Sequence, residues 1–412
     1  MRKTRIAAVF GYILFLFSTL PTPSVSAQTN SAEAFTLKDG DRVVFLGNSI
    51  FENDFQYGYL ELALTTRFAD KGVTFRNLGW TGDNVWGEAR STYTNPPTPY
   101  EHLMEDITKT QPTVVFLGYG GVEAQDGQAG LPHFKEGLNK LLDKIDELGA
   151  KAILLSTIPV VSSDTAQRIA QRNADLELYS KAISEVATQR KKQFIDIYNP
   201  ILSVSKKDSI IENTVHLNEL GYYYLATTLE KALGLNAAKA TTGITITNNI
   251  AEVSNGRSLT PDKEGVLAKF AVDNKYLPLP SPKSAGWITD NAHVVKISGL
   301  KKGYYTLVSE NNQVASASAK DWEKGVEIKQ GPQFAQVAEI RNMILKKNEL
   351  HFFQYRPLNQ TYIIGFRRYE QGRHVKGLEE QNILIKWLEG QIILNSEPKE
   401  VVYELRVTGD KL

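Results

Sequence analysis

The sequence predicts an α/β fold: a three-layer αβα domain around a parallel five-stranded sheet, followed by a smaller β-rich region. Three observations carry this. Between Gly40 and about Leu235, short β-branched apolar runs alternate with longer stretches of helical spacing, five of each. Runs such as "TVVFLGYG" are apolar without alternation, as expected of strands covered on both faces. From about Thr241 the pattern changes to short strands and turns.

Taken in order, "RVVFLG" from Arg42 reads as the first strand and "YLELALTTRFA" as a helix. "VTFRNLG" is the second strand and "YEHLMEDITKT" the second helix. "TVVFLGYG" is a buried third strand. "LPHFKEGLNKLLDKIDELGA" is an amphipathic helix closed by Gly149, a residue suited to a helix C-terminus. "KAILLSTIPV" and "QFIDIY" are the last two strands, separated by the helix "NADLELYSKAISEVATQRKK". The helix "NELGYYYLATTLEKALGL" ends the domain, whose expected limits are 36–235. Residues 241–412 read as a β-rich accessory region. It holds "TGITITNN", a hairpin in "GLKKGYYTLVSENNQVAS", the helical piece "FAQVAEIRNMILKKNELHFFQY" and a final strand "VVYELRV".

The 412 residues are too many for one small core. The N-terminus reads as a signal peptide over residues 1–27: a basic "MRKTR", an apolar "IAAVFGYILFLFSTL" and a small-residue site ending at Ala27. An uncleaved anchor is the competing reading of the same segment. Removing Arg2, Lys3 and Arg5 leaves 44 basic against 46 acidic residues, a charge of about −2. That balance carries no footprint for nucleic acid or for an anionic membrane surface. The absence of cysteine excludes thiol nucleophiles and thiolate metal sites, and the six histidines show no zinc-ligand spacing.

Ligands of a doubly wound sheet bind at the carboxyl ends of its strands. Three glycine-marked segments fall there: "GNS" at 47–49, "NLGWTGDN" at 77–84 and "GYGGVEA" at 118–124. Glycines at such ends let backbone N–H groups approach a ligand. A fourth segment, "ENTVHL", precedes the last helix and carries His216. A serine, a set of backbone donors and a histidine are the parts of an acyl-transfer site.

These four segments, in this order, resemble the SGNH (GDSL-like) hydrolase superfamily over about Asp39 to Gly234. The resemblance implies a flavodoxin-like three-layer fold and a serine esterase. Ser49 is the implied nucleophile and His216 its base. The backbone N–H groups of Ser49 and Gly82 are the implied oxyanion donors. Two positions depart from the family pattern. Val122 stands where the family has an Asn donor, and Asn213 stands where it has the Asp three residues before the histidine. Asn213 through its carbonyl, Glu212 beside it and, as a further candidate, Glu123 are then the candidates to orient His216. No metal or organic cofactor is implied. The implied substrates are small-molecule or glycan esters, acetyl esters on carbohydrate among them, handled by an exported, periplasmic or extracellular enzyme. "NELHFFQYRPLNQTYIIGFRRYEQG" resembles a tail found in a secreted subgroup of the superfamily.

Other readings compete. Ser49 and Glu52 also spell a capping box. Trp80 and Trp86 are either sugar-stacking platforms or packing. Arg356, Arg367, Arg368 and Arg373 form either an anion site or a salt-bridged face. Asn359 begins a glycosylation sequon read here as chance. Val122 and Asn213 also suit a lapsed scaffold that binds carbohydrate or a protein partner.

Overall fold

A computed structural model describes residues 35–91, 95–161, 165–213, 216–235, 241–282, 293–357 and 373–409. The leader 1–27, the Asn359 sequon, Arg367, Arg368 and the side chain of Arg373 lie outside what is described.

Five parallel strands form the first sheet: β1 Arg42–Gly47, β2 Thr74–Asn77, β3 Val114–Gly118, β4 Lys151–Leu155 and β5 Gln193–Ile195. Their order is β2-β1-β3-β4-β5, with β1 paired to both β2 and β3. This is the sheet the sequence predicts. Side chains alternate between its two faces. Val43, Phe45, Phe75, Phe116, Ile153 and Leu155 face one core; Val44, Leu46, Val115, Leu117 and Leu154 face the other.

The short helix α1 (Ser49–Glu52) follows β1 directly, and α2 is Tyr59–Arg67. Then come α3 (Pro99–Thr110), α4 (Gly127–Glu147), α5 (Ala166–Gln189), α6 (Tyr198–Ser205) and α7 (Glu219–Ala232). Helices α2 and α7 cover the Phe45 face, while α3, α4 and α5 cover the Leu46 face. Thr98 and Glu101 form a full capping box at the start of α3, with Pro99 at its first position. Helix α6 is not evident from the sequence, because eight residues give too few turns for a period to show.

The second half contains a sandwich. One sheet joins β6 (Thr241–Thr247), β7 (Ile250–Val253), β10 (His293–Ser298) and β13 (Val326–Ile328). The other joins β8 (Gly256–Leu259), β9 (Val266–Val272), β11 (Tyr304–Ser309), β12 (Asn312–Ser318) and β14 (Val401–Gly409). The β11–β12 hairpin turns at Glu310 and Asn311, both at positive φ, the geometry that matches strand twist. Phe270, Leu307, Tyr403, Leu405 and Trp322, from α8 (Ala319–Lys324), fill the space between the sheets.

Two long helices interrupt this sandwich between β13 and β14: α9 (Pro332–Tyr355) and α10 (Arg373–Ser396). They pack on each other and, apart from Phe334 at the start of α9, which touches the sandwich core, on the first domain. Val337, Ile340 and Ile344 of α9 and Ile392 of α10 join the core beneath α2 and α7. No period marks α10 in the sequence, because Ile383, Leu384, Trp387 and Leu394 are exposed while Ile385, Leu388 and Ile392 are buried.

A buried ion pair locks α9 in place. The Lys347 ammonium donates to both Glu61 oxygens of α2 at 2.7 and 2.8 Å, and to the Phe75 carbonyl of edge strand β2 at 3.0 Å. Both side chains are almost wholly enclosed. Removing one partner leaves the other charge stranded, so Lys347→Ala should lower the unfolding free energy by about 3–5 kcal/mol, whereas Lys347→Met with Glu61→Leu should recover most of it. Guanidinium unfolding measures both; a single variant as stable as the parent would contradict the role given to this pair.

Candidate active site

Ser49 sits at the point where β1 hands over to α1. Gly47, the last residue of β1, lies so close to the Gly118 carbonyl at the end of β3 that a Cβ there would collide with it. Asn48 caps α1: its Oδ1 accepts the Ile50 N–H at 3.2 Å. Ser49 is therefore the first residue of the helix, and the capping-box reading of Ser49 and Glu52 does not hold. A first-turn N–H has no partner inside its helix, and the Ser49 side chain is partly exposed.

The second segment wraps over α1. A Cβ on Gly79 would collide with the Glu52 backbone nitrogen, so only glycine permits this approach. Asn77 donates to the Phe51 carbonyl at 2.6 Å and accepts the Gly79 N–H at 2.9 Å. The Trp80 N–H reaches the Gly47 carbonyl at 2.9 Å. The Glu52 carboxylate accepts the Thr81 N–H. Gly82 follows at φ +80°, exposed, with open space where a side chain would point.

Beneath the loop, the fully buried Arg90 is a hub. It donates to Asp83 at 2.8 Å, to Asp106 at 3.0 Å and to the Leu78 carbonyl at 2.8 Å. Burial pushes the Asp83 carboxyl up, against the pull of Arg90 and of the Tyr119 hydroxyl. Sequence reasoning missed Arg90; only its place eight residues after Gly82 hinted at it.

In the third segment, Val122 is partly exposed and offers no donor. Glu123 is buried and turned inward, where its two oxygens accept the Gly120 N–H at 2.8 Å and the Val85 N–H at 3.0 Å. It ties the second loop to the third, with each carboxylate oxygen held by a backbone N–H. The Asn48 Nδ2 lies 3.3 Å from where a Cβ of Gly121 would stand.

Tyr222 of α7 ties the fourth segment to the nucleophile's helix. Its hydroxyl donates to the Ile50 carbonyl at 2.9 Å and lies 3.3 Å from that of Ser49. The Tyr57 ring packs on Tyr222 at 5.3 Å, and its hydroxyl lies 3.5 Å from the Glu212 carboxylate. Glu212 thus points to Tyr57, while its backbone N–H bonds the His216 carbonyl at 2.9 Å.

Asn213 does meet the imidazole. Its Oδ1 accepts the His216 backbone N–H at 3.0 Å, and its Nδ2 lies 3.1 Å from His216 Nδ1. The backbone bond fixes the amide orientation, since a flip would set two N–H donors face to face. An NH₂ group only donates, so Nδ1 accepts and the ring proton rests on Nε2.

The two tryptophans are packing. Trp80 is buried, with the Arg356 guanidinium 4.0 Å and the Arg90 guanidinium 5.0 Å from its ring. Trp86 stacks on His133 at 4.6 Å. Arg356 is salt-bridged, to Glu52 at 2.9 Å.

With this geometry established, the comparisons place the chain. Residues 45–224 match the model of the GDSL-like lipase/acylhydrolase family, so this part of the chain is similar to SGNH/GDSL-type hydrolases, which are carboxylic ester hydrolases by class. Among curated proteins none matches the sequence. A gut microbial diltiazem-metabolizing enzyme is similar in fold, with a TM-score of 0.72 at 18% identity over 90% of this chain and 98% of that one. The likeness therefore extends well beyond the first domain. An acetylxylan esterase from Geobacillus stearothermophilus aligns with a TM-score of 0.39 at 16% identity, over 48% of this chain and 95% of the other. An acetyl xylan esterase, AlAXEase, aligns at 0.38 and 19% identity, over 46% and 98%.

Glu123 gives the site a pH signature. Burial pushes its carboxyl from 4.5 up to about 7, against the pull of the backbone N–H groups it accepts. The folded state thus favours the protonated form. This contribution to stability is full below the unfolded value and is lost as pH rises through about 7. Between about pH 5 and about pH 8, Glu123→Gln should lose less stability than the parent, by up to about 3 kcal/mol. Guanidinium midpoints at the two pH values test this; equal losses in both proteins would contradict it.

Proposed function

We propose that this protein is an exported serine esterase that hydrolyses acyl esters, acetyl esters on carbohydrate among them, through an acyl-enzyme on Ser49. One observation carries the reading: a partly exposed serine opens α1 at the end of β1, and Tyr222 ties that helix to the one that follows the His216 loop. The likeness of residues 45–224 to that hydrolase class supports the same chemistry. The basic, apolar and small-residue sequence up to Ala27 supports export.

The reaction proceeds in two halves. The Ser49 Oγ attacks the ester carbonyl carbon as its proton passes to His216 Nε2. The oxyanion forms against the backbone N–H groups of Ser49 and Gly82. The tetrahedral adduct collapses and the alcohol leaves with the proton from His216. Water then attacks the acyl-enzyme, again giving its proton to His216, and the acid departs as Ser49 regains its proton.

The base must present a bare Nε2, which requires the ring proton on Nδ1. In the resting arrangement, Asn213 holds the opposite tautomer. Each turnover then has to break the bond between Asn213 and the His216 backbone N–H, turning the amide oxygen to the ring at the cost of leaving that N–H without its acceptor. An aspartate would accept both N–H groups at once. Asn213→Asp should therefore raise kcat, by up to about 10⁴-fold, the size of the loss when a triad aspartate becomes asparagine. Hydrolysis of p-nitrophenyl acetate by the parent, Ser49→Ala, His216→Ala and Asn213→Asp measures this. Ser49→Ala and His216→Ala should fall to the uncatalysed rate, and an unchanged Asn213→Asp rate would contradict the tautomer account.

The same tautomer, with Val122 in place of a donor, favours a second reading: a lapsed scaffold that binds carbohydrate or a protein partner. It would be preferred if no variant, Asn213→Asp included, showed turnover dependent on Ser49.

A further inference from the structure

The chain between α8 and β14 has no part in the reaction as described, yet the end of α9 is applied directly to the candidate catalytic loops. Three residues at its C-terminal end make the contact, Phe352, Tyr355 and the capping Arg356, and a fourth, His351, backs Tyr355. The Phe352 ring packs on Phe55, which follows α1, at 5.0 Å. The His351 ring stacks under Tyr355 at 5.2 Å. The Tyr355 hydroxyl donates to the Gly79 carbonyl at 2.7 Å, and its ring meets Trp80 edge-on at 6.1 Å. Arg356, the residue that caps α9, lays its guanidinium 4.0 Å from the Trp80 ring and pairs with Glu52 at 2.9 Å.

These contacts converge on one short stretch of backbone. Glu52 sits one helical turn after Ser49 on α1, and one of its oxygens holds Arg356 while the other holds the Thr81 N–H. Tyr355 holds the carbonyl of Gly79. Gly79 and Thr81 thus each have one peptide group fixed, one by Tyr355 and the other through Glu52. The next residue is Gly82, whose open, positive-φ conformation has no side chain to hold it.

We propose that Tyr355 and Arg356 are positioning residues of the esterase: they hold the Gly79–Gly82 loop so that the Gly82 N–H is aimed at the developing oxyanion beside Ser49. This role rests on the esterase reading above. It explains why the helix that carries "NELHFFQYRP" docks on the first domain while the strands around it build a separate sandwich. It also makes the second half of the chain part of the catalytic apparatus, since the first domain alone lacks both side chains.

The geometry dictates the energetics. A guanidinium both stacked on an aromatic ring and paired with a partly buried carboxylate is a directional contact that lysine reproduces only in part. Loss of one oxyanion donor costs about 10²- to 10³-fold in rate, and displacement of such a group by about 1 Å has an effect of similar order. Substrate binding by groups elsewhere on the rim is untouched. A displaced donor therefore shows in kcat and not in KM.

The test is steady-state hydrolysis of p-nitrophenyl acetate by the full chain and by Arg356→Ala, Arg356→Lys, Tyr355→Phe and Ser49→Ala. Arg257→Ala serves as a control that loses an exposed ion pair, with Glu400 of the sandwich. Arg356→Ala should lower kcat by about 10²-fold with KM within about threefold of the parent. Arg356→Lys should restore at least about tenfold of that loss, since it keeps the charge but not the stacked fork. Tyr355→Phe, which removes one oxygen and no bulk, should lower kcat several-fold even if Arg356→Ala proves unfolded. Arg257→Ala should match the parent. Turnover that depends on Ser49 but keeps its kcat in both Arg356→Ala and Tyr355→Phe would overturn the positioning role and leave the esterase reading intact. Turnover that survives Ser49→Ala would overturn both.

Discussion

The site depends on one close approach between two stretches of backbone. The loop after β2 crosses α1 so tightly at Glu52 that only a glycine fits at position 79. That crossing fixes the loop that leads to the exposed, positive-φ Gly82, and several polar contacts hold the crossing in place. Asn77 bonds both partners of the crossing, the Phe51 carbonyl on one side and the Gly79 N–H on the other. Arg90 supports the loop from below through Asp83 and Leu78. Glu52, Tyr355 and Arg356 close it from outside. Backbone donors arranged in advance stabilise a developing charge without reorganising, which is the main physical advantage of such a site.

The second half of the chain is organised in the same way. Its strands build a sandwich with its own core of Trp322, Phe270 and Tyr403. Its two long helices leave that sandwich, and α9 runs along edge strand β2. An open edge strand is a template for unwanted pairing. Here the Lys347 ammonium occupies the Phe75 carbonyl, and the apolar face of α9 completes the core beneath α2. One helix thus protects the edge, joins the core and reaches the candidate catalytic loops.

The sheet was legible because each of its strands is a compact apolar run closed by a turn signal, as in "RVVFLGNS". The strand-end loops were legible through their glycines, which mark close backbone approaches wherever they fall. Other parts were hidden for physical reasons. Helix α10 is apolar on its exposed face as well as its buried one, so no period shows. Arg90 lies in a short helical turn and acts entirely through buried partners far apart in sequence. Glu52 reads as a capping residue of its own helix, and only the fold brings Arg356, some three hundred residues later, to its carboxylate. The replacement of an aspartate by Asn213 was visible, but its consequence was not: the proton position on His216 follows from which atom bonds the backbone.

The central claim is that Ser49 is the nucleophile. The most direct measurement is covalent labelling of the folded protein with a fluorophosphonate, followed by peptide mass mapping. A single adduct on the peptide that begins in β1 and contains Ser49, lost when the protein is unfolded before labelling, is the predicted result. No adduct, or one on another serine or tyrosine with Ser49 unmodified, would contradict it.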